Sequence, residues 1–303
     1  MSSESQTGMA PGVDPQPPLQ KIRLSWDWIG VVPFFLFAIL FLLLPSLSLF
    51  IGSFQNSAGQ FTFANIAGLF TPSIMSAYWI TIKISAATAL MGGLFGFFVA
   101  YAMILGGVPG FMRTALTTFS GVASNFAGVP LAFAFIATLG RLGMVTVLLK
   151  NVLHIDIYNA GFTLYSFWGL CLTYLYFQLP LMVLIITPAL EGLRREWREA
   201  TEILGGSSWH YWRYVALPIL LPPLLGSMIL MFGNSFGAYA TALSLTGGLI
   251  NLVTILIGSQ IKGDVLHNVN LGYALALGMV VVMAISMAGY YALRRRSERW
   301  IKQ

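Results

Sequence analysis

Residues 191–218 read EGLRREWREATEILGGSSWHYWRYVALP. Eight of these residues are charged: Glu191, Arg194, Arg195, Glu196, Arg198, Glu199, Glu202 and Arg213. All 303 residues together supply only 16 basic and 10 acidic groups, so nearly a third of the charge sits in under a tenth of the length. Long apolar runs flank the stretch on both sides. Hydrocarbon tolerates the runs and rejects the island, so the island stands in water between two membrane spans.

The whole composition agrees. The chain is 57% hydrophobic and 9% charged, against about 25% charged in soluble domains. That marks an integral membrane protein. Six runs reach the roughly 20 residues that a span needs: 29–52, 76–104, 114–139, 163–190, 218–245 and 271–293. Gly92, Gly93 and Gly96 thin one face of the second for close helix contact. Pro130 falls inside the third, Pro180 and Pro188 inside the fourth, and Pro218, Pro222 and Pro223 open the fifth. Two shorter segments, 61–72 and 249–262, read as interfacial helices. The expected fold is all-α with six membrane helices.

Residues 1–20 are rich in Ser, Gln, Pro and Gly, without apolar periodicity, and residues 1–27 read as a disordered cytoplasmic tail. The first apolar run exceeds the roughly 7–15 residues of a signal-peptide core and reads as an uncleaved span. The six-span domain covers 28–296, and 297–303 form a basic cytoplasmic tail. Cys171 is the single cysteine, which excludes an intramolecular disulfide.

The net charge of +6 has a membrane pattern and needs no nucleic acid partner. With the N-terminus inside, the cytoplasmic segments carry Lys21, Arg23, Arg113, Arg194, Arg195, Arg198, Arg213, Arg294, Arg295, Arg296, Arg299 and Lys302. The outer loops carry Arg141, Lys150 and Lys262. The excess of Lys and Arg puts both termini and the island in the cytoplasm.

Within the island, Leu193, Trp197, Ala200 and Leu204 recur at helical spacing and form one stripe. Glu191–Arg195, Arg195–Glu199 and Arg198–Glu202 fall four apart, spacing that supports an exposed helix. Gly205 and Gly206 stop it, since glycine takes the left-handed cap. Ser207 or Ser208 caps a second helix carrying Trp209, Tyr211, Trp212, Arg213 and Tyr214, and Pro218 closes the unit at the next span.

Glu199, Ala200 and Thr201, then Gly205 after three residues, then Val215, Leu217 and Pro218 resemble the EAA loop of bacterial ABC importer permeases. That pattern is E-A-A, three residues, G, nine residues, I, one residue, L-P. Thr201 stands where it prefers Ala, and Val215 where it prefers Ile. The likeness extends to the six-span hydropathy over about 29–293. It implies a type I (MetI-like) importer permease in the bacterial inner membrane. In such permeases the loop docks in a groove of the ATP-binding subunit, which implies that role for Glu199, Ala200, Thr201, Gly205, Trp209 and Pro218. The implied partners are an ATPase dimer carrying ATP-Mg, a second permease subunit and an extracytoplasmic solute-binding protein. Residues 234–248, NSFGAYATALSLTGG, resemble the polyamine, opine and phosphonate branch, so polyamine or phosphonate is the expected solute. Iron(III), sulfate and thiamine permeases share the architecture.

Polar residues inside the spans are candidate path linings. Asn125, Gln178 and Asn234 fall near mid-span, and Tyr239 follows Asn234. An amide unpaired in hydrocarbon costs several kcal/mol, so each faces protein or water. They line a solute path or serve as interhelix hydrogen-bonding glue. Lys83, two turns inside the second span, either snorkels to the interface or faces the path.

The chain lacks the G-x-x-x-x-G-K-[ST] phosphate loop, so no nucleotide cofactor is expected on it. His154, His210 and His267 have no metal-ligand spacing. H-E-x-x-H and G-x-S-x-G are missing as well, and no catalytic residue is expected. The rival readings are a secondary transporter, which would carry midplane carboxylates that these six runs lack, and a membrane scaffold subunit.

Overall fold

A computed structural model describes residues 28–262 and 267–298. The tail expected at 1–27 lies outside the described residues, as do residues 299–303 of the tail expected at 297–303, whose first two residues end α14. Fourteen α-helical segments follow in chain order: α1 (Trp28–Ala38), α2 (Leu44–Ser53), α3 (Ala64–Gly68), α4 (Pro72–Leu105), α5 (Gly110–Asn125), α6 (Val129–Leu139), α7 (Met144–Val152), α8 (Phe167–Glu191), α9 (Arg195–Ile203), α10 (Ser208–Tyr211), α11 (Leu217–Phe236), α12 (Tyr239–Thr246), α13 (Val253–Lys262) and α14 (Val269–Glu298). Among the described residues six stretches are long and apolar enough to cross a membrane: Gly30–Ser53, Pro72–Leu105, Val129–Val152, Phe167–Glu191, Ser208–Phe236 and Val269–Arg295.

The described residues up to Leu47 form one compact unit and those from Ser48 another. In the first, Phe34, Phe35, Phe37 and Phe41 point outward, the surface that lipid tails solvate. A π-helical turn, Ile39–Leu43, interrupts its helix, with the Leu44 N–H bonded to the Ile39 carbonyl. Pro45 follows directly. Proline lacks an N–H and its ring crowds the carbonyl four residues back, and a widened turn relieves both defects. The second unit repeats the device. The turn Trp212–Ala216 is π-helical, the Leu217 N–H bonds the Trp212 carbonyl, and Pro218 follows.

The core of the second unit is the packing of α4 on α8 and α11. Gly92 and Gly96 make it close. A Cβ on Gly96 would stand 2.6 Å from Met182 Cβ and 2.8 Å from the Leu179 carbonyl oxygen. A Cβ on Gly92 would stand 3.0 Å from Gln178 Cβ. With nothing to hold the backbones apart, the helices approach until main chain meets side chain. Lipid tails are as apolar as leucine, so dispersion contacts and hydrogen bonds rather than water release hold such helices together. The hydrogen bonds sit in the same seam. Gln178, fully buried, donates from Nε2 to the Met231 carbonyl at 3.0 Å and to Thr88 Oγ1 at 3.4 Å. Thr88 Oγ1 lies 2.9 Å from Ser235 Oγ. Among the described residues the Gln178 Oε1 has no hydrogen-bond partner.

Two spans depart from the expected boundaries. The run read as 114–139 is broken at Phe126–Gly128, and the membrane-length stretch is Val129–Val152, built from α6 and α7. Gly128 has φ +75° and ψ −148°, a conformation open essentially to glycine alone. Pro130 follows in the first turn of α6, where its missing N–H costs nothing. The run read as 218–245 breaks at Gly237–Ala238, between α11 and α12. It also starts earlier, because α10, the π turn and α11 join into one helix, Ser208–Phe236. At about 1.5 Å per residue that helix is some 43 Å long and projects beyond the hydrocarbon. The interfacial segment expected at 61–72 contains the five-residue α3, and that at 249–262 contains α13.

Gly96→Val forces α4 and α8 apart and lowers stability by about 1–3 kcal/mol. Gly121→Ala, where a Cβ meets nothing within 4 Å, does not. Thermal midpoints of the two purified variants in one detergent check the contrast. At Gln178, Met removes the amide donor and the unpaired oxygen together and stays within about 1 kcal/mol of the parent. Glu leaves a buried carboxyl short of partners and costs about 3 kcal/mol or more. The same melting measurement reads both.

Candidate coupling loop and solute path

The charged island is built as a helix, a glycine cap and a second helix. α8 ends at Glu191, Gly192 caps it, and α9 begins at Arg195. Past Ile203 the chain makes a Schellman ending. The Gly206 N–H reaches back to the Thr201 carbonyl at 2.8 Å, and the Gly205 N–H to Glu202 at 3.0 Å. Gly205 takes φ +77° to do so, and a Cβ on Gly206 would sit 2.7 Å from Thr201 Cγ2. Both glycines are therefore structural requirements, one of backbone angle and one of space. Ser207 then caps α10 in a reciprocal box with His210, whose Nδ1 lies 2.8 Å from Ser207 Oγ.

The expected stripe splits. Leu193 and Trp197 pack inward with Leu190, Ile186, Tyr211 and Ala216. Ala200 is exposed and Leu204 is 86% exposed. The reason is that α9 starts two residues after Leu193 and ends before Leu204, so the four do not share one helix face. Glu199, Ala200, Ile203, Leu204 and Trp209 face outward, the apolar ones among the exposed charges Arg195, Glu196, Arg198 and Glu202. The ion pairs also differ from the spacing. Arg198 and Glu202 meet at 3.2 Å, but Glu191 pairs with Arg113 of α5. The break at Gly192 takes Glu191 off the helix that carries Arg195. Among the described residues Arg195 and Glu199 form no ion pair. Pro218 is half-buried in the first turn of α11 rather than a stop between two elements.

Trp212 meets Tyr101, near the end of α4, with ring centroids 5.4 Å apart. Together with the Arg113–Glu191 pair this gathers the end of α4, the start of α5, the end of α8, α9 and α10 at one end of the unit. The other end of α4 is tied elsewhere, with Asn251 donating to the Ser73 carbonyl at 3.1 Å. The 141–158 region carries its own polar contacts: Arg141 lies 5.9 Å from the Tyr158 ring, and Lys150 meets Asp156 at 3.0 Å. The hydrogen bond from Lys150, then that from the Asn159 N–H, hold the Asp156 carboxyl below the usual carboxylate range.

The candidate path residues fall into different settings. Asn125 ends α5, exposed, and donates to the Gly121 carbonyl at 2.9 Å. Asn234 is exposed near the end of α11, three residues before the Gly237 break. The two breaks adjoin, since the Gly128 N–H donates to Thr241 Oγ1 at 2.8 Å. Tyr174 donates to the Ala238 carbonyl at 2.9 Å. Tyr239, first in α12 and half-buried, lines a cleft of about 330 Å³ with Gly237, Thr254, Gly258 and Lys262. Gln178 sits in the sealed α4–α8–α11 seam, a packing position. Lys83 is exposed on α4, with Nζ 5.0 Å from the Trp79 ring. Thr88 and Gly128 were not singled out from sequence. Thr81, Ser85 and Thr88 run at helical spacing toward Gly92 and Gly96, a single small-and-polar face that a longer periodicity reading would have found.

A family model for the binding-protein-dependent transport system inner membrane component matches residues 92–299. A probable sulfate transport system permease protein from Nephroselmis olivacea is 27% identical over 232 residues, covering 76% of this chain and 75% of that one. The sulfate transport system permease protein CysT of Escherichia coli K12 is 27% identical over 217 residues, covering 71% and 73%. Among solved structures, a bacterial ABC transporter involved in the import of the acidic polysaccharide alginate superposes with a TM-score of 0.71 at 15% identity, covering 89% of this chain and 95% of that one. These matches set aside the secondary-transporter and scaffold readings. The chain carries no enzymatic activity of its own, ATP hydrolysis belonging to a separate subunit. With six membrane-length helices and a model match over two thirds of its length, the chain belongs to the binding-protein-dependent transport system inner membrane components, the permease subunits of ABC importers.

Proposed function

We propose that this permease imports sulfate or a closely related small oxyanion across the bacterial inner membrane. The observation that carries the reading is its likeness to sulfate permeases over about three quarters of both chains. The polyamine and phosphonate expectation rested on residues 234–248 alone and finds no support among these relatives. The path runs past the two adjoining breaks, where Asn125 and Asn234 are exposed and the backbone is non-helical. Unwound backbone at membrane depth is tolerated where it lines a cavity, which favours that placement. Lys83 suits an anionic solute, and Tyr239 borders the cleft beside the second break.

The island is the ATPase socket and lies in the cytoplasm with both termini. Ile203, Leu204 and Trp209 enter an apolar groove of the ATPase, and Glu199 supplies the charged rim. Thr201, Gly205 and Gly206 hold the turn between α9 and α10, while Ala200 keeps the docking face low. ATP-Mg binds the partner ATPase dimer, whose closure moves this socket and the corresponding loop of a second permease subunit. The switch in access follows because ATP and the loaded extracytoplasmic binding protein each contact one conformation better than the other.

In mild detergent the tagged chain brings down an ATPase subunit. Gly205→Val, which puts a β-branched residue at φ +77°, reduces that recovery and lowers uptake by about tenfold or more. Full recovery and uptake in Gly205→Val and in Glu199→Arg would remove the socket assignment. In proteoliposomes with the cognate binding protein, sulfate stimulates ATP hydrolysis and spermidine does not. The reverse result would restore the polyamine reading.

A further inference from the structure

Arg113 and Glu191 are 78 residues apart in sequence and form a direct ion pair between the start of α5 and the end of α8. An exposed ion pair is ordinarily of small consequence. This one is unusual in where its charges sit. Arg113 lies among the first four residues of α5, at the positive end of that helix, and Glu191 is the last residue of α8, at its negative end. Each charge opposes the dipole of its own helix and complements that of its neighbour. Neither position is explained by its own helix, and both are explained by the contact between them.

Glu191 is also the residue from which the chain leaves α8 for the coupling loop, through Gly192 and Leu193 into α9. Arg113 stands on a rod. α5 runs unbroken from Gly110 to Asn125 and ends at the Phe126–Gly128 break. Leu116, one turn on from Arg113, packs in the cluster that holds Leu190, Leu193, Tyr211 and Ala216.

We propose that the Arg113–Glu191 pair is the strut through which displacement of the coupling loop reaches the broken third span. Movement of α9 draws on Glu191. The pair passes that movement to α5, and α5 shifts Asn125 and the glycine hinge at 128, which the Thr241 hydroxyl ties to the second break. Arg113 and Glu191 are positioning residues and do not touch the solute. The proposal rests on the coupling role given to α9 and α10 above.

The test uses the full complex with its ATPase and binding protein in liposomes, with radiolabelled sulfate uptake and ATP hydrolysis read together. R113E and E191R each lower sulfate moved per ATP hydrolysed by about three- to thirty-fold. The exchange R113E/E191R returns the ratio to within twofold of the parent, because it restores the pair and places each charge at the helix end that favours it. R113Q/E191Q, which removes the pair without introducing repulsion, stays uncoupled while its melting midpoint remains near that of the parent. An exchange variant no better coupled than the single variants would overturn the strut, as would R113Q/E191Q with the parental ratio. Failure of the ATPase to co-purify with the unaltered chain would instead overturn the coupling reading on which the strut rests.

Discussion

The structure depends on how closely α4 approaches α8. In a bilayer, burying apolar surface between helices releases no water, so close contact and hydrogen bonds must supply the association. Gly92 and Gly96 remove the side chains that would hold the two helices apart. Gln178, Thr88 and Ser235 then reach across the gap that closeness creates. The two features need each other. The amide of Gln178 would be a liability in hydrocarbon without the Met231 carbonyl beside it, and that carbonyl comes within reach only because α11 joins the same seam.

Beside this close-packed seam lie the two places where helix gives way to irregular backbone. Both helix breaks free backbone groups that hydrocarbon would penalise, and side chains of neighbouring segments take them up. Thr241 accepts from the Gly128 N–H, and Tyr174 donates to the Ala238 carbonyl. The breaks are thereby tied to each other and to α8. Non-helical backbone with the exposed amides of Asn125 and Asn234 nearby thus lies beside a closed three-helix seam. The charged island is fastened to the same core by Leu193, Trp197 and Tyr211 and presents Ile203, Leu204 and Trp209 outward. It is held at its root and open at its tip.

Much of this is legible in the amino-acid sequence. Hydropathy over windows of about 20 residues found the membrane helices, because crossing hydrocarbon is a demand on average composition. The loop was legible for a different reason: a glycine cap, a serine N-cap and a proline occur at separations set by local backbone geometry. The breaks were not legible as breaks. Phe126–Gly128 and Gly237–Ala238 are two- or three-residue events inside apolar runs, and a composition average passes over them. Four-residue spacing pairs Glu191 with Arg195 because it presumes one continuous helix, and Gly192 ends that helix first.

By itself the sequence determined the all-helical class, the number of spans, the glycine-stopped loop and the family to which that loop belongs. These follow from solvent preference and short-range backbone geometry, which act within a window of the chain. Only the tertiary structure decided that Gln178 is sealed in a seam while Asn125 and Asn234 stay exposed. It alone brought the two breaks together at Gly128 and Thr241 and chose Arg113 as the partner of Glu191. Those outcomes depend on which faces of distant helices meet, and residues 78 or 113 positions apart carry no local mark of one another.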